Sequence, residues 1–189
     1  MSFFRGSRNE TQLIRIRYLY LVLGIILGMA FGMSAQKLYA FDANGEAICL
    51  AKNIYFEAGN QPLAGKVAVA QVVLNRIEHS SYPDDICGVV YQSKEYYTSW
   101  TGKTQPKLGM CQFSWYCDGK PDKPRNIKQY DGMFSFALMI IKGEVSLLDI
   151  TDGALWYHAD YVKPSWAKYK EMTTEIGDHI FYTIKDEKE

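Results

Sequence analysis

The sequence predicts an α+β fold: apolar helices joined to a small antiparallel sheet, preceded by one apolar N-terminal helix. Three observations carry this. The stretch from Ala47 to Ile77, AICLAKNIYFEAGNQPLAGKVAVAQVVLNRI, reads as two apolar helices meeting at a tight break. ALWYH from Ala154 and HIFYTI from His179 alternate apolar and polar side chains as strands do. Ahead of both, Tyr18 to Gln36 runs without a single charge.

The apolar segment comes first in the chain. Residues 1–17 hold Arg5, Arg8, Arg15 and Arg17 against one acid, Glu10. At ~1.5 Å per residue, Tyr18 to Gln36 reaches roughly 28 Å, close to the thickness of a bilayer's hydrocarbon core. The positive-inside rule then keeps the arginines in the cytoplasm and sends the rest of the chain across the inner membrane. Leu38-Tyr39-Ala40 offers a signal-peptidase site, so residues 18–40 read either as a transmembrane helix or as a signal sequence. Gly24, Gly28 and Gly32 recur every fourth residue, which lets membrane helices approach closely, although the chain is expected to be a monomer. A globular domain follows over residues 41–184, and residues 185–189 form a charged tail. The 21 basic and 21 acidic side chains balance, so charge gives no argument for nucleic acid binding.

The first helix of the globular part is capped by Asp42 and stops near Gly59, a residue suited to a left-handed C-terminus. Asn60 can cap the second helix, and Pro62 fits its first turn. Ala47, Ile48, Ala51, Ile54, Tyr55 and Ala58 share one face, with Glu57 at the edge of that stripe. A carboxyl in a helix's last turn meets the unfavourable end of the dipole. Desolvation at the edge of the core disfavours the anion as well, so the pKa should be raised. Such an acid can donate a proton to a leaving group near neutral pH. The second helix, ending near Ile77, is apolar on nearly every side and belongs at the centre of a core. Asn75 and Arg76 read as capping and ion-pairing residues that tie it to the first.

Asp84 and Asp85 lead from a turn into CGVVYQ, a short helix or strand. SKEYYTSWTGKTQPKLG, from Ser93 to Gly109, shows little periodicity and reads as a long loop. Tyr96, Tyr97 and Trp100 either stack on sugar rings or pin this loop to the core. In CQFSWYCDG, a strand would turn Phe113 inward and leave Gln112 and Ser114 outward, suited to sugar hydroxyl and acetamido groups. Met133, Phe134, Ala137, Leu138 and Ile141 have helical spacing, and Gly143 stops that helix. The ALWYH and HIFYTI strands should pair with each other. Cys49, Cys87, Cys111 and Cys117 are even in number and follow the apolar segment, which points to two disulfides. Cys111 with Cys117 and Cys49 with Cys87 is one of three pairings. A zinc site at Cys111 and Cys117 matches no common ligand spacing, and no metal or other cofactor is expected. A catalytic cysteine beside His158 or His179 would need an unpaired thiol, which an oxidising compartment disfavours.

The run IYFEAGNQPLAGKVAVAQVVLNRI resembles the SleB/CwlJ-type cell-wall hydrolase family. The matching residues are Tyr55, Glu57, Ala58, Gly65, Val67, Ala68, Val69, Val73, Leu74, Asn75 and Arg76. YPDDICGVVYQ, CQFSWYCDG, ALWYHADYVKPSW and IGDHIFYT match as well, so the resemblance covers roughly Ala43 to Thr183. One departure stands out. Many relatives carry arginine, glycine and glutamate where this chain has Gly59, Asn60 and Gln61.

The resemblance implies a lysozyme-like, lytic-transglycosylase-like helical lobe beside a small sheet, with peptidoglycan glycan strands in the cleft between them. It implies that Glu57 is the catalytic acid and base, without a second carboxylate, and that the product is 1,6-anhydro-N-acetylmuramic acid. Gln112, Ser114, Tyr157 and His158 are the expected substrate-binding residues. For His158 and His179 a hydrogen-bonded structural role competes with substrate contact. Candidates for a second carboxylate, as hydrolysis would need, are Asp84, Asp85, Asp118 and Asp160. The alternatives are a hydrolytic muramidase, an amidase or peptidase cutting the stem peptide, and a membrane-anchored wall-binding module without turnover. The domain is expected in the periplasm, held at the inner membrane or released from it, in a phage lysis protein or a bacterial wall-remodelling enzyme.

Overall fold

The computed structural model describes residues 43–185. The expectations for the apolar segment, its glycine repeat, the Asp42 cap and most of the charged tail lie outside the described residues. Among the described residues, no helix is long and apolar enough to cross a membrane.

Two helices open the domain. Helix α1 covers residues 43–58 and α2 covers Leu63–Glu78. A short helix α3 (Ile86–Val90) leads to a hairpin of β1 (Ser93–Thr98) and β2 (Lys103–Cys111). A 3-10 turn at Ser114–Cys117 precedes helix α4 (Ile127–Ile141). Strands β3 (Trp156–Ala159), β4 (Glu171–Ile176) and β5 (His179–Thr183) form an antiparallel sheet in the order β3-β5-β4. The domain is therefore α+β, with ALWYH and HIFYTI paired so that Tyr157 lies opposite Phe181 and Ala159 opposite His179.

Helix α2 is apolar all round because it is packed on two sides. Ala70 and Val73 join Leu50 and Ile54 of α1, Val89 and Val90 of α3, and Met133 and Ala137 of α4 in one core cluster. Ala68 and Val72 meet Ala154 and Phe181 in a second cluster beneath the sheet. A helix packed on two sides keeps little surface for water beyond its ends, where Leu63, Ala64 and Glu78 are exposed, which explains the weak amphipathic pattern. The disulfides are Cys49–Cys87, joining α1 to α3, and Cys111–Cys117, joining the end of β2 to the 3-10 turn. Neither thiol of the imagined zinc site is free. Glu46 of α1 also accepts from the backbone N–H groups of Ile86 and Cys87, at 2.7 and 3.2 Å.

Several local expectations are corrected. Ala47, Ala51, Ile54 and Ala58 are fully buried as the stripe predicts, but Ile48 is 42% exposed while Cys49, Leu50 and Asn53 are buried, so the core face of α1 extends to the other side of that stripe. Gly59 does not take the left-handed conformation. A Cβ there would lie 2.5 Å from the Tyr55 carbonyl oxygen, so close approach is what glycine permits at that position. Asn60 does not cap α2; Pro62 occupies the N-cap position, with no side-chain hydrogen bond. Gln61 is the residue that ties this corner down. Its side chain donates to Asp178 Oδ2 at 2.9 Å and accepts from Asp178 N at 3.1 Å, clamping the β4–β5 turn to the start of α2.

Residues 93–109 are a hairpin and not a loop. None of residues 93–111 is buried, so no alternation of apolar and polar side chains marked the strands. CQFSWYCDG is not a strand either. Strand β2 ends at Cys111, Phe113 is buried, and the 3-10 turn buries Trp115 and Cys117. Strand β4 escaped notice because a register shift between Met172 and Thr174 breaks its period.

Candidate active site

Glu57 stands in the last turn of α1 and faces a cleft of about 1100 Å³. Two facing elements complete the cleft floor: Tyr157 from β3 and Arg76 from the last turn of α2. The Tyr157 hydroxyl donates to Glu57 Oε2 at 3.0 Å. Burial pushes the Glu57 carboxyl above its ordinary value, and the Tyr157 hydrogen bond and the Arg76 charge oppose that rise in part. Burial also holds the Tyr157 phenol well above its ordinary range, so it remains a donor.

Arg76 is buried but forms no ion pair of 4.0 Å or less with Glu57; Lys120–Asp118 is the one such pair among the described residues. Its Nε donates to the Leu155 carbonyl at 2.8 Å, and its guanidinium lies 5.2 Å from the Tyr82 ring centre and 5.0 Å from that of Phe113. The expected ion pairing between α2 and α1 is thus replaced by a fixed cation that acts on Glu57 at a distance. Asn75 binds elsewhere, donating to the Asp149 carboxylate and the Ala154 carbonyl, both at 3.1 Å. That the arginine belongs to the site was missed. The available signal was a charged residue closing an otherwise apolar helix.

The structure brings all five expected site residues, Glu57, Gln112, Ser114, Tyr157 and His158, to this one cleft. Gln112 and Ser114 are exposed on its wall. Tyr157 hydrogen-bonds Glu57 itself, a contact beyond the substrate-binding role expected for it. His158 has both ring nitrogens engaged. Nδ1 lies 2.8 Å from the Ala159 carbonyl and Nε2 3.0 Å from the Tyr182 hydroxyl. A carbonyl only accepts, so Nδ1 donates to Ala159, while the Tyr182 hydroxyl can pair with Nε2 in either direction. This favours the structural role for His158. His179 is 7% exposed and packs edge-on against Tyr157, with ring centres 5.1 Å apart. Burial lowers its pKa, so it sits there as a neutral ring.

Asp118 and residues 120–125 line the cleft along one side. The Tyr55 hydroxyl anchors the end of this segment by accepting from the N–H groups of Arg125 and Asn126, each at 3.0 Å. Of the aspartates considered for a second carboxylate, Asp118 alone lines the cleft; Asp122, which was not among them, lines it as well. Asp118 is bonded to Lys120, which holds its pKa down. Asp122 has its pKa raised by desolvation. Asp85 instead caps α3, accepting from Gly88 N. No cluster of histidine, cysteine, aspartate or glutamate among the described residues has the makings of a metal site.

A family model described as Cell Wall Hydrolase matches residues 60–182. The spore cortex-lytic enzyme of Halalkalibacterium halodurans is 42% identical over 133 residues, covering 70% of this chain and 33% of that protein. The spore cortex-lytic enzyme of Oceanobacillus iheyensis is 28% identical over 133 residues, covering 70% and 39%. This chain thus spans well under half the length of these curated relatives. Among solved structures, the catalytic domain of Bacillus cereus SleB is similar with a TM-score of 0.45 and 26% identity, over 74% of this chain and 91% of that one. The catalytic domain of the germination-specific lytic transglycosylase SleB from Bacillus anthracis gives a TM-score of 0.47 and 23% identity, over 73% and 93%.

Proposed function

The chain belongs to the cell wall hydrolase family, and from that membership we propose that it cleaves the glycosidic bond between N-acetylmuramic acid and N-acetylglucosamine in peptidoglycan, with Glu57 as acid and then base. The observation that carries this reading is a single carboxyl on the cleft floor, raised by burial and held by Tyr157 at 3.0 Å. In its neutral form Glu57 gives its proton to the bridging oxygen as the bond from that oxygen to the muramic C1 breaks. The resulting carboxylate takes the proton of the muramic C6 hydroxyl while O6 bonds to C1. The products are a 1,6-anhydro ring and a new glycan end, and Glu57 is protonated again. An intramolecular nucleophile needs no positioned water and benefits from a high effective concentration.

Tyr157 and Arg76 suit this cycle. Each lowers the cost of the anion in mid-reaction, yet neither is a contact ion pair that would hold Glu57 ionised beforehand. A hydrolytic route would call on a second carboxylate, for which the cleft wall offers Asp118, paired with Lys120, and Asp122; the products released decide between the two routes. We read the arrangement as lysozyme-like, with the acid on the helical side and Tyr157 on the sheet side. Gln112 and Ser114 would orient the glycan from the wall. The two disulfides fit an oxidising compartment outside the cytoplasm, where peptidoglycan lies. Residues 18–40 are proposed to carry the domain there.

The test is release of soluble fragments from purified sacculi. Glu57→Gln in the full chain should fold as the parent does and lose about 10²–10⁴-fold in rate, the usual contribution of a general acid. Parental turnover in that variant would remove Glu57 from the mechanism.

A further inference from the structure

The β1–β2 hairpin has no structural role that accounts for its side chains. Its strands pair only with each other and form a sheet separate from β3-β5-β4. An isolated two-stranded hairpin gains little stability in water. This one also exposes Trp100 at its turn by 89%, Tyr97 by 67% and Leu108 by 71%, with Tyr96 and Met110 exposed beside them. The aromatic residues therefore do not pin the segment to the core. A run of large apolar groups in water marks a contact surface. Three lysines, Lys94, Lys103 and Lys107, accompany one acid, Glu95.

The hairpin also adjoins the cleft. Strand β2 runs directly into Gln112 and Ser114 on the cleft wall, and the Cys111–Cys117 disulfide fixes that junction. A Cβ on Gly119, within the turn that begins the 118–125 wall, would sit 3.8 Å from Leu108 Cδ2, so β2 lies against that wall. The wall itself bears Lys120, Lys123 and Arg125 against Asp118 and Asp122. Basic charge thus continues from the cleft rim onto the hairpin.

We propose that the β1–β2 hairpin is a second contact for the peptidoglycan strand, holding it beyond the cleft. The flat faces of Tyr97 and Trp100 stack on the C–H faces of pyranose rings, and the lysines meet the carboxylates of the stem peptides. One polymer then occupies two adjoining surfaces, and the second raises its local concentration at the first. An anionic membrane would also attract aromatic and basic side chains, but it would not account for the hairpin's continuity with the cleft wall.

The inference rests on the cleft being a glycan site, and binding can be measured without turnover. Full-length protein carrying Glu57→Gln is spun down with purified sacculi, and in parallel with vesicles containing phosphatidylglycerol. Adding Trp100→Ala and Tyr97→Ala should weaken retention on sacculi by about ten-fold, the scale of one or two lost stacking contacts. Adding Lys103→Glu and Lys107→Glu should weaken it further, with a reduced dependence on salt. These side chains are exposed, so the melting temperature should not move. In the parent, the aromatic changes should slow digestion of sacculi and leave turnover of a short soluble glycan unchanged. Undiminished retention on sacculi would overturn the proposal. So would loss of vesicle binding with sacculus binding intact. An inactive parent that still shows hairpin-dependent retention would count against Glu57 chemistry alone.

Discussion

Tyr157 on β3 and Glu57 on α1 are 100 residues apart in the chain and joined by a hydrogen bond of 3.0 Å. This contact couples the sheet to the helix that carries the proposed acid. Tyr157 is itself backed by His179 and Phe181 of the neighbouring strand. The acid's ionisation therefore depends on how the sheet docks on α2.

Removing the phenol hydroxyl tests that dependence. In Tyr157→Phe the bond that lowers the Glu57 pKa is gone, so the carboxyl rises further. A hydrogen bond to a charged group is worth about 1.5–3 kcal/mol, so turnover should fall at least ~10-fold. The alkaline limb of the pH–rate profile should move to higher pH. An unmoved limb would mean that Tyr157 does not act through Glu57.

Glu57 should also cost the fold stability at neutral pH. Its folded pKa lies above its unfolded one, so its contribution is fully present below the unfolded value and lost as pH rises through the folded value. Glu57→Gln, which does not titrate, should melt above the parent near pH 7. The two should converge as pH falls towards about 4, the ordinary carboxyl range. Thermal unfolding across that range reads the difference directly.

Arg76 should not tolerate lysine. An ammonium group cannot keep both the Nε bond to Leu155 and the planar position beside Tyr82 and Phe113. Leaving the buried Leu155 carbonyl unpaired costs about 1–3 kcal/mol, which denaturant unfolding would resolve. A neutral replacement, Arg76→Gln, should in addition shift the activity profile of the molecules that remain folded to higher pH, as in Tyr157→Phe, because it is the Arg76 charge that lowers the Glu57 pKa.

The disulfides should differ in worth. Cys49–Cys87 spans 38 positions in sequence and Cys111–Cys117 spans 6. Loop-closure entropy gives roughly 4 kcal/mol for the first and about 2 kcal/mol for the second. Paired Cys→Ala variants compared by denaturant unfolding should show that order.

The sequence made parts of this molecule legible and concealed others. The helix pair around Glu57 was visible because apolar runs, a glycine and a proline punctuate it. The β3–β5 pairing was legible in the short runs ALWYH and HIFYTI, although β3 is half-buried at every position and β5 buries the adjacent Phe181 and Tyr182, so burial does not follow a strict period of two. Hairpin β1–β2 buries neither face, so it left no such trace. Strand β4 lost its period at the Met172–Thr174 irregularity. The site was half legible. Glu57 announced itself as a carboxyl at the wrong end of a helix. Arg76 looked like a helix-end cap, because its Leu155 partner lies 79 positions away and no local pattern reveals such a contact. Gln61 reads in the sequence as a mere departure from its relatives, because its partner Asp178 lies 117 positions away.

The most direct measurement is mass spectrometry of the muropeptides that the full-length protein releases from purified sacculi. The expected fragments end in 1,6-anhydro-N-acetylmuramic acid, released about 10²–10⁴-fold more slowly by Glu57→Gln. Reducing-end muramic acid, free stem peptides over intact glycan, or anhydro products from Glu57→Gln at the parental rate would contradict it.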